Sequence, residues 1–166
     1  MTGTADLYKM VNAAWDAAGL DAKFTALWSG AVESEYEVLC DQVASPGQPW
    51  PYCVLDRVEA SVVNRMSSNE IGKKMHVRRA PLRFNILAQD VSGDSRSSKE
   101  IAAYLAEEIM KVFGGHPTEA ATAAMELDNG KHLITQYQND YGVRQDDDKW
   151  QWTVDYAIFV DIPVKT

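Results

Sequence analysis

The residues with the chemistry to be catalytic or metal-binding are few, and their spacing argues against both roles. His76, His116 and His132 are the three histidines, and none stands at the i, i+4 interval or beside a cysteine, as a zinc site would require. Asp146, Asp147 and Asp148 form an acidic run that could attract a divalent ion. Neighbouring carboxylates in a loop point in different directions, however, whereas Mg²⁺ and Ca²⁺ need converging oxygens, so a solvated acidic loop is expected. Cys40 and Cys53 show no CxxC spacing and read as buried thiols. No serine sits in a GxSxG elbow, and Gly114-Gly115-His116-Pro117 has neither the lysine nor the spacing of a phosphate loop. The residues therefore suggest no catalytic centre, no metal site and no cofactor.

The aromatic residues divide into two kinds. Trp150, Trp152 and Tyr156 could form a ligand-stacking platform, but their alternation with aliphatic residues is the pattern of a core. Trp50, flanked by Pro49 and Pro51, places a large apolar side chain in a proline-rich loop, where an intermolecular contact is the expected use.

These residues need a scaffold, and 166 residues supply one domain with a substantial core. With 46% hydrophobic and 24% charged residues the chain has the balance of a folded protein rather than a disordered one. A net charge of −8, with no dense lysine or arginine block, excludes a phosphate-gripping stripe. No apolar stretch reaches the roughly 20 residues of a membrane-spanning helix. The first residues lack the basic start and apolar run of a signal peptide, so residence in the cytosol is expected.

Leu7, Met10, Val11, Ala14, Trp15 and Ala18 recur at helical spacing between Thr4 and Gly19, which predicts an amphipathic helix. Leu20 to Gly30 keeps apolar residues without a decided conformation. Ser45 to Pro51 holds three prolines and a glycine and must be a loop. A strand follows, with Tyr52, Val54, Val58, Ala60 and Val62 on one face. After a polar connection from Met66 to Lys74, a second strand carries Leu82, Phe84, Ile86 and Ala88 on one face and Arg83 and Asn85 on the other. Pro81 lacks a backbone donor, which suits an edge or a bulge better than mid-sheet.

Ser97-Ser-Lys-Glu100 has the spacing of a capping box. It predicts a helix with Ile101, Leu105, Ile109, Val112 and Phe113 buried, stopped by Gly114-Gly115. Thr118 to Leu127 could be helix or strand. Leu133 to Tyr137 reads as a strand and Asn139 to Lys149 as a polar loop. Trp150 to Ile162 is apolar at every second position and predicts a long central strand covered on one face by the helices. The expected fold is α+β: an antiparallel or mixed sheet of about four strands, two helices on one face, and long hairpin loops.

The element order and three stretches resemble the tail terminator (tail completion) proteins of long-tailed bacteriophages. The stretches are Tyr36-Glu-Val-Leu, Pro-Gly-Gln-Pro-Trp-Pro-Tyr52-Cys-Val-Leu-Asp56, and the hairpin strand Leu82-Arg-Phe-Asn-Ile-Leu-Ala88 leading into the Ser98 to Phe113 helix and the closing Trp150 to Ile162 strand. The likeness spans most of the chain, although the Asp128 to Lys149 stretch is longer than that pattern. It implies a non-enzymatic virion protein, assembled in the host cytoplasm, that forms a homo-hexameric ring on the head-proximal end of the tail. Such a ring stops polymerisation of the tail tube protein and offers a surface to the head-tail connector (stopper) protein. DNA passes through without specific binding, and no membrane is involved.

For such a ring, Trp50, Pro49 and Pro51 are the expected interface residues. Asp146, Asp147, Asp148, Glu33, Glu35 and Glu37 are candidates for a lumen or a charged seam, where like charge keeps DNA phosphates from being held. Three other readings compete. They are a neck connector one storey higher, a small metal-dependent hydrolase using the aspartate run with His116 or His132, and a ligand-binding module with a pocket under the Trp150 to Tyr156 face.

Overall fold

The computed structural model describes residues 4–28, 36–57, 61–67, 74–128 and 130–163. Helix α1 (Thr4–Ala17) ends as foreseen before Gly19, whose φ of 66° is a left-handed value that costs glycine little. The chain then re-enters a short helix, α2 (Leu20–Thr25), which buries Leu20 and Phe24. Trp15 Nε1 donates to Asp21 Oδ1 at 2.6 Å across this corner. The sequence left this second helix undecided, because six residues are too few to show a helical period.

Six strands form one mixed sheet. They are β1 (Leu39–Asp41), β2 (Tyr52–Arg57), β3 (Ser61–Ser67), β4 (Lys74–Gln89), β5 (Lys131–Asp146) and β6 (Lys149–Pro163). The order across the sheet is β1-β2-β4-β6-β5, with β3 also on β4. Only the β1–β2 pair is parallel. Strand β2 covers Leu82 to Leu87 of β4, and β3 covers Lys74 to Arg79. The two therefore lie end to end along one side of β4, opposite the unbroken β6. The fold is α+β as expected, with six strands and three helices among the described residues in place of about four and two.

The third helix, α3 (Ser98–Phe113), begins at the predicted capping box. Ser97 Oγ accepts from the Glu100 N–H at 3.3 Å, and Glu100 Oε2 accepts from the Ser97 N–H at 2.8 Å. Its stripe Ile101, Leu105, Ile109, Val112 and Phe113 is buried against the sheet. Phe84 of β4 is the hub of the core. Trp15 of α1 stacks on it at 5.9 Å, Phe113 of α3 lies at 5.0 Å, and Tyr156 of β6 meets it edge-on at 5.8 Å. These contacts place α1 and α3 on the same face of the sheet as Leu82, Phe84, Ile86, Val154, Tyr156 and Ile158. The central position of β6 and its apolar, helix-covered face are as expected.

Four expectations are corrected. In β2, Cys53 and Leu55 face the helices, paired with Ile86 and Phe84 and fully buried, while Tyr52 and Val54 face the other way. Tyr52-Cys-Val-Leu is apolar on both faces, so period two alone could not choose between them, and the register with β4 decides. Residues 58–60 of the expected strand, Val58 and Ala60 among them, lie outside the described residues, as do 68–73 of the polar connection. Pro81 stands in a central strand rather than at a sheet edge. It falls between the registers of β2, which ends at Leu82, and β3, which begins at Arg79, so its missing donor coincides with a break on that side of β4.

Strand β5 runs on through the expected polar loop to Asp146 and leaves only Asp147-Asp148 as the turn into β6. Thr118 to Leu127 is neither helix nor strand. The Thr122 and Ala123 N–H groups both donate to the Val112 carbonyl, at 3.2 and 2.9 Å, and Met125 is buried.

Candidate functional site

The sheet has two faces of opposite character, and among the described residues the three helices lie on one of them. On the other, the register brings Asp56, Arg83, Asp155 and Asn139 into one row across β2, β4, β6 and β5. Arg83 donates to both oxygens of Asp155, at 2.7 and 3.3 Å. That hydrogen-bonded carboxylate holds the guanidinium's pKa above its ordinary value. In the next row Asn85 Nδ2 donates to Asp56 Oδ2 at 2.7 Å, and Asn85 Oδ1 accepts from Thr153 Oγ1 at 3.0 Å and Gln151 Nε2 at 3.1 Å. The side chains of Asn85 and Thr153 are both hydrogen-bonded, which is what lets them be buried without the cost of an unmet hydrogen bond. Arg79, Pro81, Arg83, Gln138 and Asn139 line a trough of about 700 Å³ over the row.

At the margin of this face lies β5, sixteen residues long, with no strand on its outer side among the described residues. Three register shifts interrupt its pairing with β6, at His132/Ile134, Tyr137/Asn139 and Arg144/Asp146. Such bulges bend a strand and increase its twist. Leu133, Ile134, Tyr141 and Val143 are 41–54% exposed along it. Ile134, Tyr141 and Val143 stand opposite Phe159, Thr153 and Gln151 on the uncovered face.

The inner face of β5 is tied down instead. Tyr137 packs edge-on to Tyr156 and donates to Asp140, whose other oxygen accepts from Trp152 Nε1 at 2.9 Å. Burial first, and then the Asp140 bond, push the Tyr137 hydroxyl's pKa up to about 12. Tyr156 Oη donates to the Gly114 carbonyl at 2.6 Å. Gly115, at φ 95°, lies so close over the Tyr137 ring that a Cβ there would overlap it. Gly142 likewise sits on the Trp152 ring, with a Cβ position 2.7 Å from its carbons.

The residues singled out in the sequence are distributed differently from expectation. Trp50 is half-buried, edge-on to Tyr52 at 5.2 Å and beneath the Lys149 ammonium at 5.5 Å. Pro49 is half-buried beside it and Pro51 is buried. Pro51 lends its carbonyl to Trp28 Nε1 at 2.7 Å. Asp146, Asp147 and Asp148 are exposed at the β5–β6 turn, where Asp147 pairs with Arg144 and the Asp148 carbonyl accepts from the Asp90 N–H at 3.0 Å. Glu37 is exposed just before β1, at the same end of the sheet but at the opposite margin, with β2 and β4 between. Glu33 and Glu35 lie outside the described residues. The described acidic candidates, Glu37 and Asp146 to Asp148, therefore do not form one patch within a single copy.

The hydrolase constellation does not assemble either. His132 is at the start of β5 and the aspartates are at its far end, and His116 Nδ1 accepts from the Thr118 N–H at 3.2 Å. Among the described residues no group of three or more histidine, cysteine, aspartate or glutamate side chains could hold a metal ion. The face under Trp150 to Tyr156 is filled by Phe84, Phe113 and Tyr137 rather than open to a ligand. Cys40 and Cys53 are buried free thiols, as expected, and burial raises the pKa of each.

The exposed apolar margin of β5 was missed in the sequence. Its signal was present in Tyr141-Gly-Val143 but was obscured by Gln138-Asn-Asp140 and by the bulges, which break the period of two.

No protein-family model matches the sequence, and no curated protein matches it. Among solved structures, the chain is similar to one in the virion of a native gene transfer agent particle. The two share 13% identity with a TM-score of 0.47, over 95% of this chain and 92% of that one.

Proposed function

We propose that the protein is a structural virion subunit: a tail terminator that forms a hexameric ring on the head-proximal end of the tail tube, stops its growth and presents a docking surface to the head-tail connector. The observation that carries this reading is the margin formed by β5. A long unpaired strand with exposed apolar side chains is an aggregation hazard in a protein that stays alone; natural sheets blunt such an edge with charge, proline, a covering element or bulges, and β5 has its three bulges yet keeps a row of apolar side chains. Here Leu133, Ile134, Tyr141 and Val143 are left at the surface, which suits a subunit whose edge is covered on assembly.

The element order and motifs that resemble tail terminators support the specific role. The exposed acidic turn Asp146 to Asp148 suits a channel that DNA must slide through, because its three carboxylates outnumber Arg144 and Lys149 beside it and repel phosphates. Trp50, under Lys149 and against Tyr52, is the candidate contact at the same end of the sheet.

Electron microscopy of tails from a phage lacking this gene tests the reading, with tube length and head attachment scored together. Overlong, headless tubes are expected. Tubes of normal length that fail to join heads would assign the protein to the neck instead, and unchanged virions would overturn the proposal.

A further inference from the structure

We infer that neighbouring copies join by extending the sheet, with the outer edge of β5 in one copy pairing antiparallel with β3 of the next. The inference rests on the assembly reading and supplies its contact. Two strand edges of useful length are unpaired among the described residues: that of β5, with sixteen residues, and that of β3, with seven. They lie at opposite margins of the same sheet. The remaining margin strand, β1, has three residues and ends at Gln42, where a φ of 65° turns the chain away.

Strand direction selects the pairing. Strands β1 and β3 run with β2 and β6, whereas β4 and β5 run the other way. A second copy placed beside the first in the same orientation therefore brings its β3 antiparallel to β5, the better-bonded arrangement. Because the joined edges differ, each copy keeps one edge of each kind after pairing. The contact is thus head-to-tail and generates a ring when the rotation closes, and the twist of the sheet together with the three bulges of β5 supplies rotation. A β5-to-β5 contact would cap the assembly at two copies and leave β3 open. Set beside Asn139 to Gln145, the seven residues of β3 clear β1, which flanks β2, and border Tyr141 and Val143.

The test is photocrosslinking of the full chain, in solution and in assembled tails. A photoreactive phenylalanine derivative replaces Tyr141 in one preparation and Val143 in another, and each is mixed with isotope-labelled, unmodified protein. Crosslinks joining labelled to unlabelled copies within Ser61–Ser67, the residues of β3, are expected. Ile134→Lys combined with Val143→Lys should lower the yield from position 141 by about tenfold while circular dichroism stays unchanged. Crosslinks from β5 to β5, crosslinks only to another tail protein, or no crosslink between copies in tails that carry the ring would each overturn the pairing. These failures are separate from failure of the terminator reading, which the tube-length phenotype decides whatever the crosslinks show.

Discussion

The two faces of β4 and β6 are built from alternate residues of the same strands and do opposite work. On the helix side, Phe84, Tyr156 and Ile158 are closed in by α1 and α3, and stability comes from apolar area removed from water. On the other side, Arg83, Asn85, Gln151, Thr153 and Asp155 are hydrogen-bonded within a polar ladder before anything docks. The difference teaches that burial alone does not mark the core here. Thr153 is as buried as Phe113, at 1% exposure each, yet it belongs to the face left for other molecules.

The contrast can be broken most strongly at its hub. Phe84→Ala removes the ring that Trp15, Phe113 and Tyr156 share, and it should cost about 3–5 kcal/mol in urea unfolding. Asn85→Ala tests the opposite face. It leaves Asp56, Thr153 and Gln151 short of partners, and a loss of about 1–3 kcal/mol is expected by the same measurement. If Asn85→Ala matched Phe84→Ala, the two faces would be energetically alike and the distinction would fall.

Arg83→Ala should cost less than about 1 kcal/mol, because the Arg83–Asp155 pair is half in water, and the cost should shrink further in high salt. A smaller effect is expected at His132, whose pKa burial lowers. The unfolded chain takes up that proton more readily than the folded one, so stability should decline as pH falls below the ordinary histidine range. His132→Gln should flatten that decline in thermal melts recorded across the range. Smallest of all on folding is Ile134→Lys with Val143→Lys, expected within about 0.5 kcal/mol of the parent because both side chains are exposed. The same variant should abolish ring formation on tails, scored by electron microscopy, so the open side would matter to assembly rather than to stability.

Where sequence and structure agree, local signals carried the answer. The Ser97/Glu100 capping box and the stripe from Ile101 to Phe113 are short-range patterns that tertiary context had no reason to override, and β6 alternates without interruption. Where they part, the deciding information is long-range. Strand β1 is three residues, too few to show a period, and its place is set by its register with β2. The facing of β2 depends on whether Cys53 or Val54 meets the Phe84 side of β4. Strand β5 hides its period behind bulges and polar residues that suit an uncovered strand.

The candidate site was half legible for the same reason. The acidic run and Trp50 stand out by composition, and both are at the turn end of the sheet. The apolar margin could be recognised only once β5 was known to be a strand with no other strand outside it among the described residues.

Trp152 gives the molecule an optical gauge. Its indole N–H is bonded to Asp140 and its ring is pressed against Gly142, so two contacts from the exposed strand set the electric field and the solvent access of one fluorophore. Because four other tryptophans also emit, its share is read as the difference between the parent and Trp152→Phe, and the colour and iodide quenching of that share should shift when β5 is gripped from outside, with no label attached. Because Trp152 sits on the inner face, a shift would report displacement of the strand rather than contact between a partner and the dye.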